Sequence, residues 1–314
     1  MSALFTSALA ASAQAASGQH YPQGTLYVVA TPIGNLADIS LRALHVLGLV
    51  DAIACEDTRH TQALLRAYGI DKASNQLIAV HQHNEIQAAQ GLIDHLHQGR
   101  RVAYVSDAGT PGVSDPGARL VAAVRAQGLR CIPLPGPSSV TTLLSVAGVT
   151  DDQQGGFVFC GFLSPKSAER ERAVLALATE ARAVVLLEAP HRIESLALAL
   201  ARLGNRSITL GRELSKQFEE VATVAAQDLP DWLAQDANRL RGEFALVLHP
   251  LAQIAAPLQD TRILKLLLEQ LPLKTAVKLA ADITGEPRNA LYDIALSLKS
   301  ADSDAQAGDA TSPT

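Results

Sequence analysis

From Thr25 onward, short apolar runs alternate with stretches whose apolar residues recur at helical spacing. That alternation constrains the fold more than any other feature. Strands linked through helices must run parallel and be covered on both faces, which specifies an α/β protein with a mostly parallel sheet. Leu26–Ala30, Ala52–Cys55, Leu77–Val80, Val102–Val105 and Cys131–Leu134 are the strand candidates of a first domain. Pro135-Gly136-Pro137 then breaks the chain, and a helix is expected to start near Pro137. A polar, Gly-containing segment at 151–156 leads to a second set of strands at Phe157–Phe162, Ala183–Leu187, Ile208–Leu210, Val221–Ala225 and Phe244–Leu248. After Pro257 the pattern becomes purely helical, at Thr261–Leu271, Lys274–Thr284 and Asn289–Leu298.

The expected organisation is therefore a 1–23 disordered extension, a 24–150 N-terminal α/β domain, a 151–256 C-terminal α/β domain, a 257–300 helical extension and a 301–314 disordered tail. Hydrophobic residues make up 48% of the 314, enough for two cores of ordinary size. The Ala/Ser-rich start lacks the positive n-region of a secretory signal, since the first basic residue is Arg42. No apolar run is long enough for a membrane span. Cys55, Cys131 and Cys160 have no metal-ligand spacing and are expected as reduced core residues, in keeping with a cytoplasmic location.

Ligands of open α/β sheets bind at the carboxyl ends of strands, and the polar segments of this sequence fall there. The densest is the loop from Ser106 to Gly117, which holds Gly109, Gly112, Pro111 and Pro116. Such a loop is rigid and lets a ligand approach the backbone closely. No GxGxxG follows the first strand, so the dinucleotide fingerprint of a dehydrogenase is missing. Gly161–Ser167 resembles a phosphate-binding P-loop, but Pro165 stands where the second glycine is needed.

Three charged clusters follow strands: Glu56-Asp57-Thr58-Arg59-His60, His81-Gln82-His83-Asn84-Glu85 and Glu188-Ala189-Pro190-His191-Arg192. Each is compatible with nothing more than a capped helix start. Together they also suit one polar cleft shared by both domains. His81 and His83 lack a third metal ligand, so no metal site is assigned.

TPIGNLADISLRAL, CEDTRHTQALL, HQHNE, VSDAGTPGVSDPG, PLPGPSS, LLEAPHR, GREL and RGEFALVL occur in this order. In combination they resemble the bacterial small-subunit ribosomal RNA methyltransferases that modify the ribose 2′-oxygen of a decoding-centre cytidine. That family lies within the tetrapyrrole-methylase superfamily of S-adenosylmethionine-dependent enzymes. The resemblance runs from about Gly24 to Leu298. It implies S-adenosylmethionine as cofactor, 16S rRNA in the 30S subunit as partner, no membrane, and a homodimer.

Carried onto this sequence, the resemblance places Pro32, Asp107, Ala108, Gly109, Gly112, Val113, Pro135, Gly136, Ser138, Ser139, Glu188 and Ala189 around the cofactor. A base that takes the ribose proton is sought among His83, His60, Asp57 and Glu85, the histidines first because their ordinary pKa lies nearest neutrality. Arg59 and Arg192 are candidate phosphate contacts, and Lys274, Lys278 and Arg288 in the helical extension candidate RNA contacts.

A net charge of −5 excludes a broad basic coat, and 4% aromatics argue against stacking platforms for single-stranded bases. Two competing readings keep a binding cleft. One is a methyltransferase of the same fold and cofactor acting on a tetrapyrrole or a protein side chain. The other is a non-catalytic RNA- or cofactor-binding module, for which carboxylates beside anionic RNA make little sense.

Overall fold

The computed structural model describes residues 5–80, 85–115, 117–150, 156–251 and 261–307. The chain divides into two compact units, residues 1–251 and 252–314.

The first unit holds two five-stranded sheets. Strands β1 (Thr25–Val29), β2 (Ala52–Cys55), β3 (Leu77–Ala79), β4 (Val102–Val105) and β5 (Arg130–Leu134) build the first, in the order β3-β2-β4-β1-β5. All its pairings are parallel. Alternate residues of each strand enter separate cores. Tyr27 and Val29 pack with α2 (Leu41–Leu49) and α3 (Thr58–Ala67), while Leu26, Val102 and Tyr104 pack with α4 (Glu85–His97) and α5 (Gly117–Ala126). The neighbours β1 and β4 thus send their chains to helices on opposite faces. A crevice opens between their carboxyl ends, as it does at the switch point of a doubly wound sheet.

The amino-terminal segment, expected to be disordered, instead carries helix α1 (Thr6–Ala16). Phe5, Leu9, Ser12 and Ala16 recur at helical spacing, and all but Ser12 join the core beneath α2. Phe5 packs edge-on against Tyr68, with ring centroids 5.0 Å apart. The helix ends where Tyr21 donates its hydroxyl to the Ala16 carbonyl at 3.1 Å.

Helix α6 (Ser139–Val146) follows the Pro-Gly-Pro turn and begins two residues after Pro137, with Ser138 as its N-cap. The second sheet runs β6-β7-β10-β8-β9 from β6 (Phe157–Phe162), β7 (Ala183–Glu188), β8 (Ser207–Arg212), β9 (Glu220–Ala225) and β10 (Phe244–Leu248). Only β6 and β7 pair in parallel; the other neighbours are antiparallel. One face packs on α7 (Ser167–Leu177), α8 (Ile193–Leu200) and α9 (Leu229–Ala234). The other receives α6, Leu214, Ile33 and Val113, so loops of the first sheet lie against it. Of the cysteines, Cys55 is buried and Cys131 half-buried, whereas Cys160 is exposed on the edge strand β6 and is not a core residue.

In the second unit α10 (Thr261–Gln270), α11 (Leu273–Thr284) and α12 (Arg288–Ala307) enclose their own core of Leu264, Val277, Ala280, Leu291 and Ala295. Gly285, at φ +75°, ends α11 in the left-handed conformation that a glycine adopts freely. Helix α12 runs through residues 301–307, which the sequence reading assigned to the tail; no Pro or Gly interrupts it before Gly308. Among the described residues no helix is long and apolar enough to cross a membrane.

Candidate active site

The turn after β1 and the loop after β4 are fastened together across the crevice. Thr31 and Gly109 exchange backbone hydrogen bonds of 3.0 and 3.1 Å. The Asp115 carboxylate organises the rest of the loop by accepting from the Gly112, Val113 and Gly117 amides at 2.6, 3.2 and 2.7 Å. Gly109 has φ +82°, and a Cβ there would meet Ile33 at 3.3 Å. Gly136 is required for close approach: an added Cβ would fall 2.8 Å from the Ala30 Cβ.

These loops form one wall of a cavity of about 310 Å³, within the range of small-molecule sites. Ala108, Gly109, Val113, Ser138 and Ser139 supply that wall; Glu188 and Ala189 from the end of β7 lie opposite. Seven of the twelve expected cofactor residues therefore line one cavity. Pro32, Asp107, Gly112, Pro135 and Gly136 belong to the same turns and shape them without lining the cavity.

The sequence reading missed the apolar wall: Ile33, Phe162, Leu187, Leu214, Phe244 and Ala245. Phe244 and Ala245 begin β10, which runs antiparallel to β7 and pairs Phe244 with Glu188. The rule that ligands meet carboxyl ends of strands holds for parallel neighbours, so an antiparallel strand escapes it.

Glu188 is the buried charge of the site. Its side chain has no exposure, Oε1 lies 3.1 Å from Arg192 Nε, and the same oxygen accepts from the Ala189 amide at 2.9 Å. Oε2 is buried with no hydrogen-bond partner. An unpaired carboxylate oxygen in a cavity wall is costly unless a ligand donates to it. Arg192, expected to reach RNA phosphate, is instead held in this ion pair and donates to the Leu163 carbonyl. At the other wall, Ser138 makes no side-chain cap to α6, which leaves its hydroxyl and the first amides of that helix for an acceptor.

The cluster after β2 adjoins this loop. Asp57 donates its amide to Asp107 Oδ1 at 3.3 Å, and Asp107 donates its amide to Glu56 Oε1 at 3.3 Å. Asp57 caps α3 by accepting from the Arg59 and His60 amides. The Arg59 guanidinium, donating to the same carboxylate, holds the carboxyl down at about 2. Asp57 is thereby committed to structure and is a poor proton acceptor at neutral pH, contrary to its place among the expected bases. Glu56, not singled out from the sequence, behaves oppositely. Burial pushes its carboxyl up, and the charges of Asp107 and Asp115 add to the push.

His60 is exposed on α3, and Arg59 is exposed except for its pairing with Asp57. His83 lies outside the described residues, and Glu85 begins α4 with its side chain outside them. Lys274 and Lys278 are exposed on α11 of the second unit, and Arg288 pairs with Asp282 at 2.9 Å.

Residues 25–230 match the model of the Tetrapyrrole (Corrin/Porphyrin) Methylases, and residues 254–299 that of the RsmI C-terminal HTH domain. The chain is 46% identical to Ribosomal RNA small subunit methyltransferase I of Escherichia coli O157:H7, over 87% of this chain and 95% of that protein. It is 47% identical to the protein of the same name from Neisseria meningitidis serogroup A, over 88% and 94%. The fold resembles uroporphyrin-III-C-methyltransferase from Thermus thermophilus, with a TM-score of 0.52 at 22% identity, covering 72% of this chain and 94% of that one. The likeness runs through the segments that build the cleft and the helical unit after it, over nearly the whole length of those relatives: the chain belongs to the tetrapyrrole methylase family, and within it to the family of ribosomal RNA small subunit methyltransferase I.

Proposed function

We propose that this protein transfers a methyl group from S-adenosylmethionine to the ribose 2′-oxygen of a decoding-centre cytidine in 16S rRNA. The observation that carries this reading is the extent of the likeness. It includes the helical segment 254–299, which the tetrapyrrole methylase model does not reach and the ribosomal RNA methyltransferases share.

The cavity residues fit the cofactor. Glu188 Oε2 awaits a hydrogen-bond donor such as a hydroxyl or ammonium group. The start of α6, with Ser138 and Ser139, offers donors to a carboxylate. Ile33, Leu187 and Leu214 provide apolar cover that keeps water out. When bound, S-adenosylmethionine supplies a methyl already activated on a sulfonium, so the protein's chief task is in-line positioning, worth up to about 7–11 kcal/mol of barrier.

A group that removes the ribose proton adds on the order of 10²–10⁴ in rate. His60 and His83 serve this reading best, with Glu85 a further candidate; Glu56 joins them because its raised carboxyl lies at the rim of the Asp107 loop. Arg59, Lys274 and Lys278 are read as RNA contacts, supported by their exposure. The protein is further read as a cytoplasmic homodimer working on the 30S subunit. The exposed Phe157, Phe159 and Phe162 on the edge strand β6 support a partner surface there.

The experiment is transfer of labelled methyl to isolated 30S subunits and to free 16S rRNA. Label at a nucleotide whose 3′ linkage resists alkaline cleavage is the expected result. Unlabelled RNA with cofactor binding intact would favour a tetrapyrrole or protein substrate. Full turnover in both His60→Ala and His83→Ala would remove the histidines as base.

A further inference from the structure

The first unit contains a second cavity, about 330 Å³, between α7 and α8. Its lining includes Ser167, Arg170, Glu171, Ser195 and Arg202. Arg170 is only 8% exposed, and its Nη1 donates to the Pro165 carbonyl at 3.3 Å. Its Nε is buried with no hydrogen-bond partner. Glu171, the cavity's carboxylate, is already engaged: Oε2 meets Arg202 Nη1 at 2.7 Å, and Oε1 accepts from Ser167 Oγ at 3.1 Å. Ser195 donates its hydroxyl to the Arg192 carbonyl at 2.8 Å and offers the cavity no proton.

Two guanidinium groups against one carboxylate leave a surplus positive charge in a recess. A buried cation without a counter-charge is expensive, and a planar guanidinium suits the oxygens of a phosphate. The amino end of α7, which no side chain caps, adds its partial positive charge at the same place. The cavity lies on the face of the second sheet opposite the cleft described above, and one chain segment leads from the cleft to it. Pro190 lines the first cavity and Ser195 the second, five residues apart on a largely helical path, or about 8–10 Å.

We infer that the cavity between α7 and α8 holds one backbone phosphate of the RNA, with Arg170 and Arg202 as positioning residues outside the methyl-transfer cleft; this rests on the reading of the protein as an rRNA methyltransferase.

The test is steady-state methylation of 30S subunits by wild type, Arg202→Gln and Glu171→Gln, with melting temperatures measured alongside. Arg202→Gln should raise the KM for subunits about tenfold, leave kcat and the cofactor KM within twofold, and lower the salt slope by roughly 0.7 per decade. Glu171→Gln removes the neutralising carboxylate and should lower the subunit KM, an improvement that no purely structural role produces. Unchanged subunit KM and salt slope in both variants, at wild-type melting temperature, would overturn the assignment. So would inorganic phosphate stabilising wild type but not Arg202→Gln while the subunit KM stays constant, because the cavity would then serve free phosphate. Absence of RNA label with the wild-type protein would remove the underlying reading itself, and the phosphate assignment with it.

Discussion

Glu188 and Asp57 show how differently two carboxylates in similar motifs are used. Asp57 spends its oxygens on α3 and Arg59, while Glu188 keeps one buried oxygen unpartnered in the wall of the cleft. Replacing Glu188 with Gln should weaken binding of S-adenosylhomocysteine by about 1.5–3 kcal/mol, on the order of 10–100-fold, as read by calorimetry. Gly109→Ala places a side chain at φ +82° and should cost about 1–2 kcal/mol of stability in chemical denaturation, with a raised cofactor KM. The glycines and capping residues of these loops were legible from the sequence, because their chemistry is local. The state of Glu188 was not, since Arg192 Nε and the Ala189 amide both meet the same oxygen. Nor was the raised carboxyl of Glu56, which comes first from burial and then from the charges of Asp107 and Asp115 on another loop.

At the scale of elements, α1 is the instructive case. It has no acidic residue in its first turn, no basic one in its last and no side-chain cap, so alone it would be marginal. Its stability comes from packing Phe5, Leu9 and Ala16 onto the core beneath α2. Phe5→Ala should therefore lower stability by about 1–2 kcal/mol, less than a fully buried Phe truncation, while kcat and cofactor KM hold. Thermal unfolding with parallel methylation assays would show it. The strands were easier to read than this helix: Ala52–Cys55, Val102–Val105, Phe157–Phe162 and Phe244–Leu248 are found at the expected bounds. Continuous apolar runs bounded by turn residues leave little choice, whereas an uncharged Ala/Ser segment folds only where a partner face exists.

Across the whole first unit, Arg206 and His249 tie the second sheet to its surroundings. Arg206 donates to the carbonyls of His249, Leu177, Glu180 and Arg182 at 2.6–3.1 Å. His249 Nε2 lies 2.7 Å from the hydroxyl of the buried Thr209, which in turn meets Thr223 at 2.7 Å. Burial, aided by the Arg206 charge, pushes the His249 imidazole below its ordinary value. The unfolded chain then binds this proton more readily than the folded one, at about pH 6.5. Stability is complete above that pH and declines as pH falls from it through the folded value. Melting temperature measured from about pH 8 to 5 should show this decline, and His249→Gln should flatten it.

By itself the sequence determined the strands of both sheets and the helices between them, though not α1 or the end of α12, and it determined where the chain turns and which loops gather glycine and charge, because those properties are set by side-chain periodicity and backbone freedom over a few residues. Tertiary structure alone decided that β10 runs antiparallel and delivers Phe244 to the cleft, that Arg192 neutralises Glu188 rather than reaching outward, and that Arg170 Nε is buried without a hydrogen-bond partner. Strand direction depends on which distant segments meet, and even where a partner lies close in the chain, as Arg192 does to Glu188, burial in a shared low-dielectric space decides which of its possible partners a charge takes.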